Sequence, residues 1–314
     1  MKNKNLEKMF LRDSFISTLR EIAKKDKKII LLTNDQGAPA LDKYIEELPN
    51  QFYNAGISEQ NIIATASGLS IAGYKPYVYS INSFIIYRTI EYLKIDLCSM
   101  KQPVKIFGVG SGYSYPEDGP THHSTEDIAL TRVMANLDIF NPSDSIMTSK
   151  IVKFVNKSRN PTFVRLDRQY CENQKYNNYN IEDGFRICKF SNSNSNNCII
   201  STGHFLQKLY KIIKNQNKKI HLIDFFRLKN FNNKKFLDVI KKYKNIISIE
   251  EHSKNFGLGS IISELITDNR LNLNLVRHGL SDEQIFSYGS RDQLLHQNKL
   301  GDTDIKKSIL KNFR

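Results

Sequence analysis

A chain of 314 residues is long enough for two domains, each with its own core. Hydrophobic content of 40% beside 25% charged residues is that of an ordinary globular protein. The net charge of +14 comes from scattered lysines. Runs such as Lys24, Lys25, Lys27 and Lys28, or Lys241 and Lys242, are broken by acids or apolar residues and read as solvated helix faces, which argues against nucleic-acid binding. The opening MKNKNLEKMF lacks the apolar run of a signal peptide, and no membrane-spanning stretch follows, so a cytoplasmic protein is expected. Cys98, Cys171, Cys188 and Cys198 form no CxxC pair, which leaves neither a zinc site nor a disulfide framework indicated.

In chain order, Phe15, Leu19 and Ile22 recur at helical spacing ahead of the strand-type run IILLT at 29–33. Small residues Ala64, Ala66, Ser67, Gly68 and Ala72 then mark a helix expected to pack unusually close to its neighbours. PYVYSI at 76–81, VKIFGVG at 104–110 and TFVRL at 162–166 are further strands. Strands alternating with helical segments predict an α/β fold with a parallel sheet covered on both faces. Residues 171–197, rich in Asn and Ser and poor in aliphatics, read as a linker. A second alternating series follows, with strands in CIIST, KIHLIDF, NIISIE and LNLVR and helices near 204–215, 234–243, 256–267 and 303–312. The expected organisation is therefore two consecutive α/β domains, 1–170 and 198–314, joined by 171–197.

Ligands of open parallel sheets bind beyond the carboxyl ends of the strands, which gives weight to three segments. In NAGISEQNIIATASG, Glu59 opens a helix. It either complements the helix dipole or is a carboxyl in an apolar pocket, tuned to share a proton with a bound heterocycle. In VGSGYSYPEDGPTHHSTED at 109–127, a loop with three glycines and two prolines leads into a capping-box-like helix start, Ser124 to Asp127. His122 and His123 lie in it, and with no second ligand cluster a substrate contact is expected from them rather than metal binding. In VRLDRQY, Arg168 follows a strand and offers a forked donor to a phosphate or carboxylate, or else an ordinary salt bridge. No P-loop and no dinucleotide fingerprint is present.

GISEQN, KPYVYSINSFIIYRTIEYLKIDL, EDGPTHHSTEDIALTR and RLDRQ together resemble the pyrimidine-binding domain of transketolases. STGHFLQKLYKII, LIDFFRLK, ISIEEHSKNFGLGS and VRHGLSDEQIFSYGSRDQLL are similar to the carboxy-terminal domain of the same family. The resemblance implies that Glu59 hydrogen-bonds the aminopyrimidine ring of thiamine diphosphate as the catalytic acid, and that Phe84 and Tyr87 pack against that ring. It further implies that Asp118 and His122 contact the sugar, with His122 also catalytic, and that Arg12 and Arg168 lie near its phosphate. The implied reaction moves a two-carbon ketol unit between sugars.

The family's motif for magnesium and the cofactor's diphosphate, GDG followed by Asn, is absent; the near matches are EDG at 117 and at 182. A separate subunit carrying the amino-terminal, diphosphate-binding domain and most of the Mg2+ ligation is the expected partner, with two copies of each chain. Gly110 stands where transketolases commonly have His, and Ala40 where they have Ser. Both replacements leave fewer donors for a phosphate, and Gly110 leaves room for a larger group, which suggests a modified or nucleotide-linked sugar. Rival readings are a subunit like the beta chain of 2-oxo acid dehydrogenases, one like deoxyxylulose-phosphate synthase, and a regulatory or scaffold subunit without chemistry. The first lacks EDGPTHH, and the second normally carries its diphosphate domain on the same chain.

Overall fold

The structure is a computed structural model describing residues 9–173, 179–188, 194–214 and 219–313. Its first half runs α1 (Leu11–Ala23), β1 (Ile29–Thr33), α2 (Pro39–Glu47), β2 (Phe52–Asn54), α3 (Glu59–Ile71), β3 (Lys75–Ile81) and α4 (Asn82–Tyr87). The single turn α5 (Ile90–Tyr92) continues as a π-helical stretch, Leu93–Ser99. Then come β4 (Lys105–Val109), α6 (Asp127–Arg132), β5 (Asp138–Phe140), α7 (Ser145–Val155) and β6 (Thr162–Leu166). The second half contains β7 (Phe185–Cys188), β8 (Asn197–Ser201), α8 (Phe205–Lys214), β9 (Ile220–Phe225), β10 (Arg227–Lys229) and α9 (Asn233–Ile240). Its last elements are β11 (Asn245–Ser253), α10 (Leu258–Asp268), β12 (Asn274–Leu280), α11 (Arg291–Gln297) and α12 (Asp302–Asn312).

Two mostly parallel sheets result, as expected. The first has the order β10-β5-β6-β4-β3-β1-β2 and the second β12-β11-β8-β9-β7. Strand residues of the first sheet send alternate side chains to opposite apolar layers. Ile29 and Leu31, Phe107 and Val109, and Val164 and Leu166 join α1, α2 and α7 on one side, with Phe15 stacked on Phe107. Leu32, Ile106 and Phe163 join α3 and the π-helical stretch on the other. From β1 the chain leaves toward the β2 edge, and β3 returns on the opposite flank, so a topological switch point lies between β1 and β3.

Three expectations need correction. Within the stretch read as a linker, Phe185–Cys188 is a strand, β7, pairing antiparallel with β9, and Gly184 in left-handed conformation (φ 83°) turns the chain into it. Four residues, too few to show a period, give no signal of their own; the pairing comes from the exposed edge of β9. Of the same stretch, 174–178 and 189–193, the latter including the first residues of SNSNSNN, lie outside the described residues. The second half also does not stay within its own sheet, because β10 pairs antiparallel with β5 at the edge of the first. One apolar cluster accordingly runs across the boundary, from Leu137 and Ile139 to Phe225, Leu228 and Phe236. In α3, Ala66 and Ser67 do pack inward, the Ser67 hydroxyl donating to the Asp96 carbonyl at 3.0 Å, but Gly68 and Ala72 lie on an exposed face.

Candidate active site

The site lies at the carboxyl ends of the first sheet's strands. Glu59 is the first residue of α3 and is 6% exposed. An acid in a helix's first turn is favoured by the free N–H groups there, which explains its position but not its burial. One oxygen, Oε1, accepts from Arg88 Nη1 at 2.9 Å, and no hydrogen bond reaches Oε2 among the described residues. The Arg88 guanidinium also lies over the Phe84 ring, 4.6 Å from its centroid. The half-buried Phe84, from α4, then meets His122 edge-on at 4.9 Å, and His122 leans against Tyr115 at 5.8 Å. Tyr115 in turn lies under the guanidinium of Arg168, 4.6 Å from ring centroid to carbon. A continuous strip of contacts thus joins Glu59 to Arg168.

Arg12 and Asp118 sit close enough to Tyr115 for their charges to act on its phenol. Burial pushes that phenol up from its ordinary value, while Arg168 and Arg12 pull it down. Arg12 is held by Asp13, its Nε donating at 2.8 Å. Asp118 is exposed, and the Thr121 hydroxyl meets His122 Nδ1 at 3.0 Å. Tyr87 stands apart from the strip, its ring packed on the core and its hydroxyl donating to Glu126 Oε2 at 2.8 Å. Gln284 donates to the other oxygen of Glu126 at 3.1 Å.

The loop between β4 and α6 is fixed from below by buried polar contacts. Asn82 Nδ2 donates to Ser124 Oγ at 2.7 Å and to Asp127 Oδ2 at 2.6 Å, and Arg165 Nε donates to the same Asp127 oxygen at 2.7 Å. Ser124 and Asp127 therefore serve this network, and no capping box forms between them; α6 starts at Asp127 after an uncapped Glu126. From the second domain, Glu251 Oε1 accepts the Tyr113 N–H at 2.7 Å. Arg291 bridges Glu251 and Asp167, with Nη2 donating at 2.9 Å and 2.7 Å, and Ser111 Oγ donates to Asp167 at 2.9 Å. Burial alone would raise Asp167, but Arg291 outweighs it and holds the carboxyl well below the usual range.

The space expected above Gly110 is taken. Gly110 has φ 106°, and a Cβ built on it would come within 2.3 Å of Tyr115 Cε2. His123 is buried edge-on against Tyr113, its Nε2 without a partner among the described residues, and burial lowers its pKa. Among the described residues no group of three His, Cys, Asp or Glu side chains could hold a metal, and no helix is long and apolar enough to cross a membrane. Arg88, Tyr115, Glu251 and Arg291 were not identified from sequence. An Arg directly after the run FIIY, and a Tyr between Ser114 and Pro116, are weak signals for the first two. The last two meet through tertiary contact, which no local pattern encodes.

Two α/β domains thus place a carboxyl, aromatic rings and guanidiniums along one sheet mouth. Residues 7–173 match the family model for the transketolase pyrimidine binding domain, and residues 188–305 that for the transketolase C-terminal domain. The chain is 30% identical over 289 residues to an apulose-4-phosphate transketolase subunit of Phocaeicola vulgatus, covering 91% of this chain and 92% of that one. A structure described as a split gene transketolase, inactive beta4 tetramer, superposes with a TM-score of 0.83 at 24% identity, over 97% of this chain and 98% of that chain. Transketolase from Campylobacter jejuni superposes with a TM-score of 0.78 at 17% identity, but the match covers only 47% of that longer chain. The chain belongs to the transketolase family and is a subunit of the split type.

Proposed function

We propose that this subunit, joined to a separate diphosphate-binding subunit, transfers a two-carbon ketol unit from a ketose phosphate to an aldehyde acceptor. The observation that carries the reading is the unbroken strip from Glu59 through Phe84, His122 and Tyr115 to Arg168. A buried carboxyl with one oxygen left open, beside a half-buried aromatic ring, fits a flat heterocycle carrying a ring nitrogen. Thiamine diphosphate, when bound, supplies a carbon nucleophile that acts as electron sink for the ketol unit. Glu59 would share a proton with the heterocycle through its open Oε2. Phe84 orients the ring. His122 and Asp118 hold sugar hydroxyls, and Arg12 and Arg168 take the phosphate at the far end. The filled space above Gly110 argues against the larger, nucleotide-linked sugar, and the substrate named for the Phocaeicola vulgatus relative is likewise a sugar phosphate.

The partner is proposed to cover the outer face of α3. There Gly68 and Ala72 are exposed, and Ile57 and Ile71, 80% and 62% exposed, flank the start and end of the helix. Magnesium and the diphosphate would be held on that partner, two copies of each chain making the active assembly. The test is reconstitution. The purified chain alone is expected to bind thiamine diphosphate very weakly and to transfer nothing, whereas mixing with the diphosphate-binding subunit restores ketol transfer. Micromolar cofactor binding or turnover by the chain alone overturns the reading.

A further inference from the structure

Tyr115 joins His122 to Arg168 in the strip, although no role of its own is assigned to it in the ketol-transfer reading on which this inference rests. Its ring fills the space over Gly110, where an added Cβ would meet Cε2 at 2.3 Å and Cδ2 at 2.7 Å. One of its sides carries the Arg168 guanidinium, with 4.6 Å between the ring centroid and the guanidinium carbon. His122 rests against it, the ring planes 55° apart. Gly110, at φ 106°, lies in a backbone region that side chains rarely enter, so the cavity that receives the ring is built by the main chain rather than left by chance.

A guanidinium stacked on an aromatic face uses its π surface for that contact and keeps its N–H donors in the plane, directed outward. Arg168 is exposed and follows the end of β6, where an unstacked side chain of its length would sample many rotamers. Stacking removes that freedom without consuming a donor. We propose that Tyr115 is a specificity-determining positioning residue: it closes the distal end of the substrate site over Gly110 and presents Arg168 edge-on to the phosphate of a ketose phosphate. The contact needs an aromatic ring and not its hydroxyl. Substrate preference then follows from two features. The closed space limits length beyond the sugar, and the fixed guanidinium favours a terminal dianion over a hydroxyl.

The experiment uses the reconstituted two-subunit complex, with xylulose 5-phosphate and unphosphorylated xylulose as probes, read by steady-state kinetics and by calorimetric binding. Tyr115→Leu is expected to raise KM and Kd for the phosphate ester about two- to fivefold, the loss of an exposed cation–π contact, with kcat and the constants for xylulose unchanged. Tyr115→Phe should behave as the natural chain does. In an Arg168→Ala background Tyr115→Leu should add nothing, since the two residues then act as one unit. Equal losses for ester and free sugar, a Phe variant as impaired as the Leu variant, or fully additive effects of the two substitutions would each overturn the proposal. Ester binding that depends on Tyr115 without any turnover by the natural complex supports the positioning role while overturning ketol transfer; ester binding indifferent to Tyr115 overturns the positioning role alone.

Discussion

Two neighbouring residues at the end of β6, Asp167 and Arg168, enter different surroundings. Asp167 is 1% exposed and bonded to Arg291 and Ser111, in a network that also takes in Glu251. Arg168 is exposed, and what holds it is the face of Tyr115. The same division separates the junction between the domains, where Asp167, Glu251 and Arg291 answer one another's charge, from the mouth of the first sheet, where Asp118, His122 and Arg168 stay open to a ligand. Both regions are rich in charge. Satisfied, buried charge fixes the loop between β4 and α6, and open charge at the mouth is left for chemistry.

The comparison is broken most severely at Glu59, the buried acid that belongs to the mouth. In the reconstituted complex, Glu59→Gln should lower turnover by about 100- to 10,000-fold while assembly, followed by sedimentation, stays unchanged. A variant with natural turnover would move Glu59 to the structural side of the division. Next comes Arg291→Ala, which leaves the carboxylates of Asp167 and Glu251 buried without their cation. It should destabilise the chain by about 3–5 kcal/mol, seen in denaturant unfolding, and loosen the loop that carries His122. If stability hardly changed, the junction would not be the anchor described above.

The third prediction concerns pH. Both oxygens of Glu250 accept N–H groups at the start of α10, from Leu258 at 2.6 Å and Gly259 at 2.7 Å, and burial still pushes its carboxyl up to about 7. Between its ordinary 4.5 and about 7 the folded chain holds a proton that the unfolded chain has released. Stability therefore falls as pH rises through that window, by up to about 3 kcal/mol from this one group. Glu250→Gln, uncharged throughout, should flatten the melting temperature across the window, and an unchanged slope would exclude Glu250 as its source. The smallest effect is at the seam between the two regions. Gly112 has φ 57°, and a Cβ there would lie 2.6 Å from Glu251 Oε1. Gly112→Ala should destabilise by about 1–3 kcal/mol and raise KM for sugars, with thiamine diphosphate affinity unchanged.

Much of the scaffold was legible because long apolar runs announce themselves. IILLT is β1, residue for residue, and TFVRL is β6. Elements of three or four residues were not legible: Asp138–Phe140, Phe185–Cys188 and Arg227–Lys229 carry no period, and pairing with a neighbouring strand alone makes them strands. At the mouth, the family motifs pointed to Glu59, Phe84, His122 and Arg168, which the fold brings into one strip. They also pointed to Tyr87, whose hydroxyl donates to Glu126. Room at Gly110 was inferred from a missing side chain, yet a glycine at positive φ can be a place that another residue's ring has claimed. Tyr115 does so five positions on.

The strand β10 sets a timetable for synthesis. It completes the first sheet by pairing with β5, and some ninety residues of chain separate Phe140 from Lys229. At about 5–20 residues per second, a ribosome takes roughly 4–18 s to cover that distance. Throughout that interval the nascent first domain carries an unpaired strand edge, open to a second nascent chain or to a chaperone. The amino-terminal half of this subunit is thus begun first but closed only once part of the second half has been made.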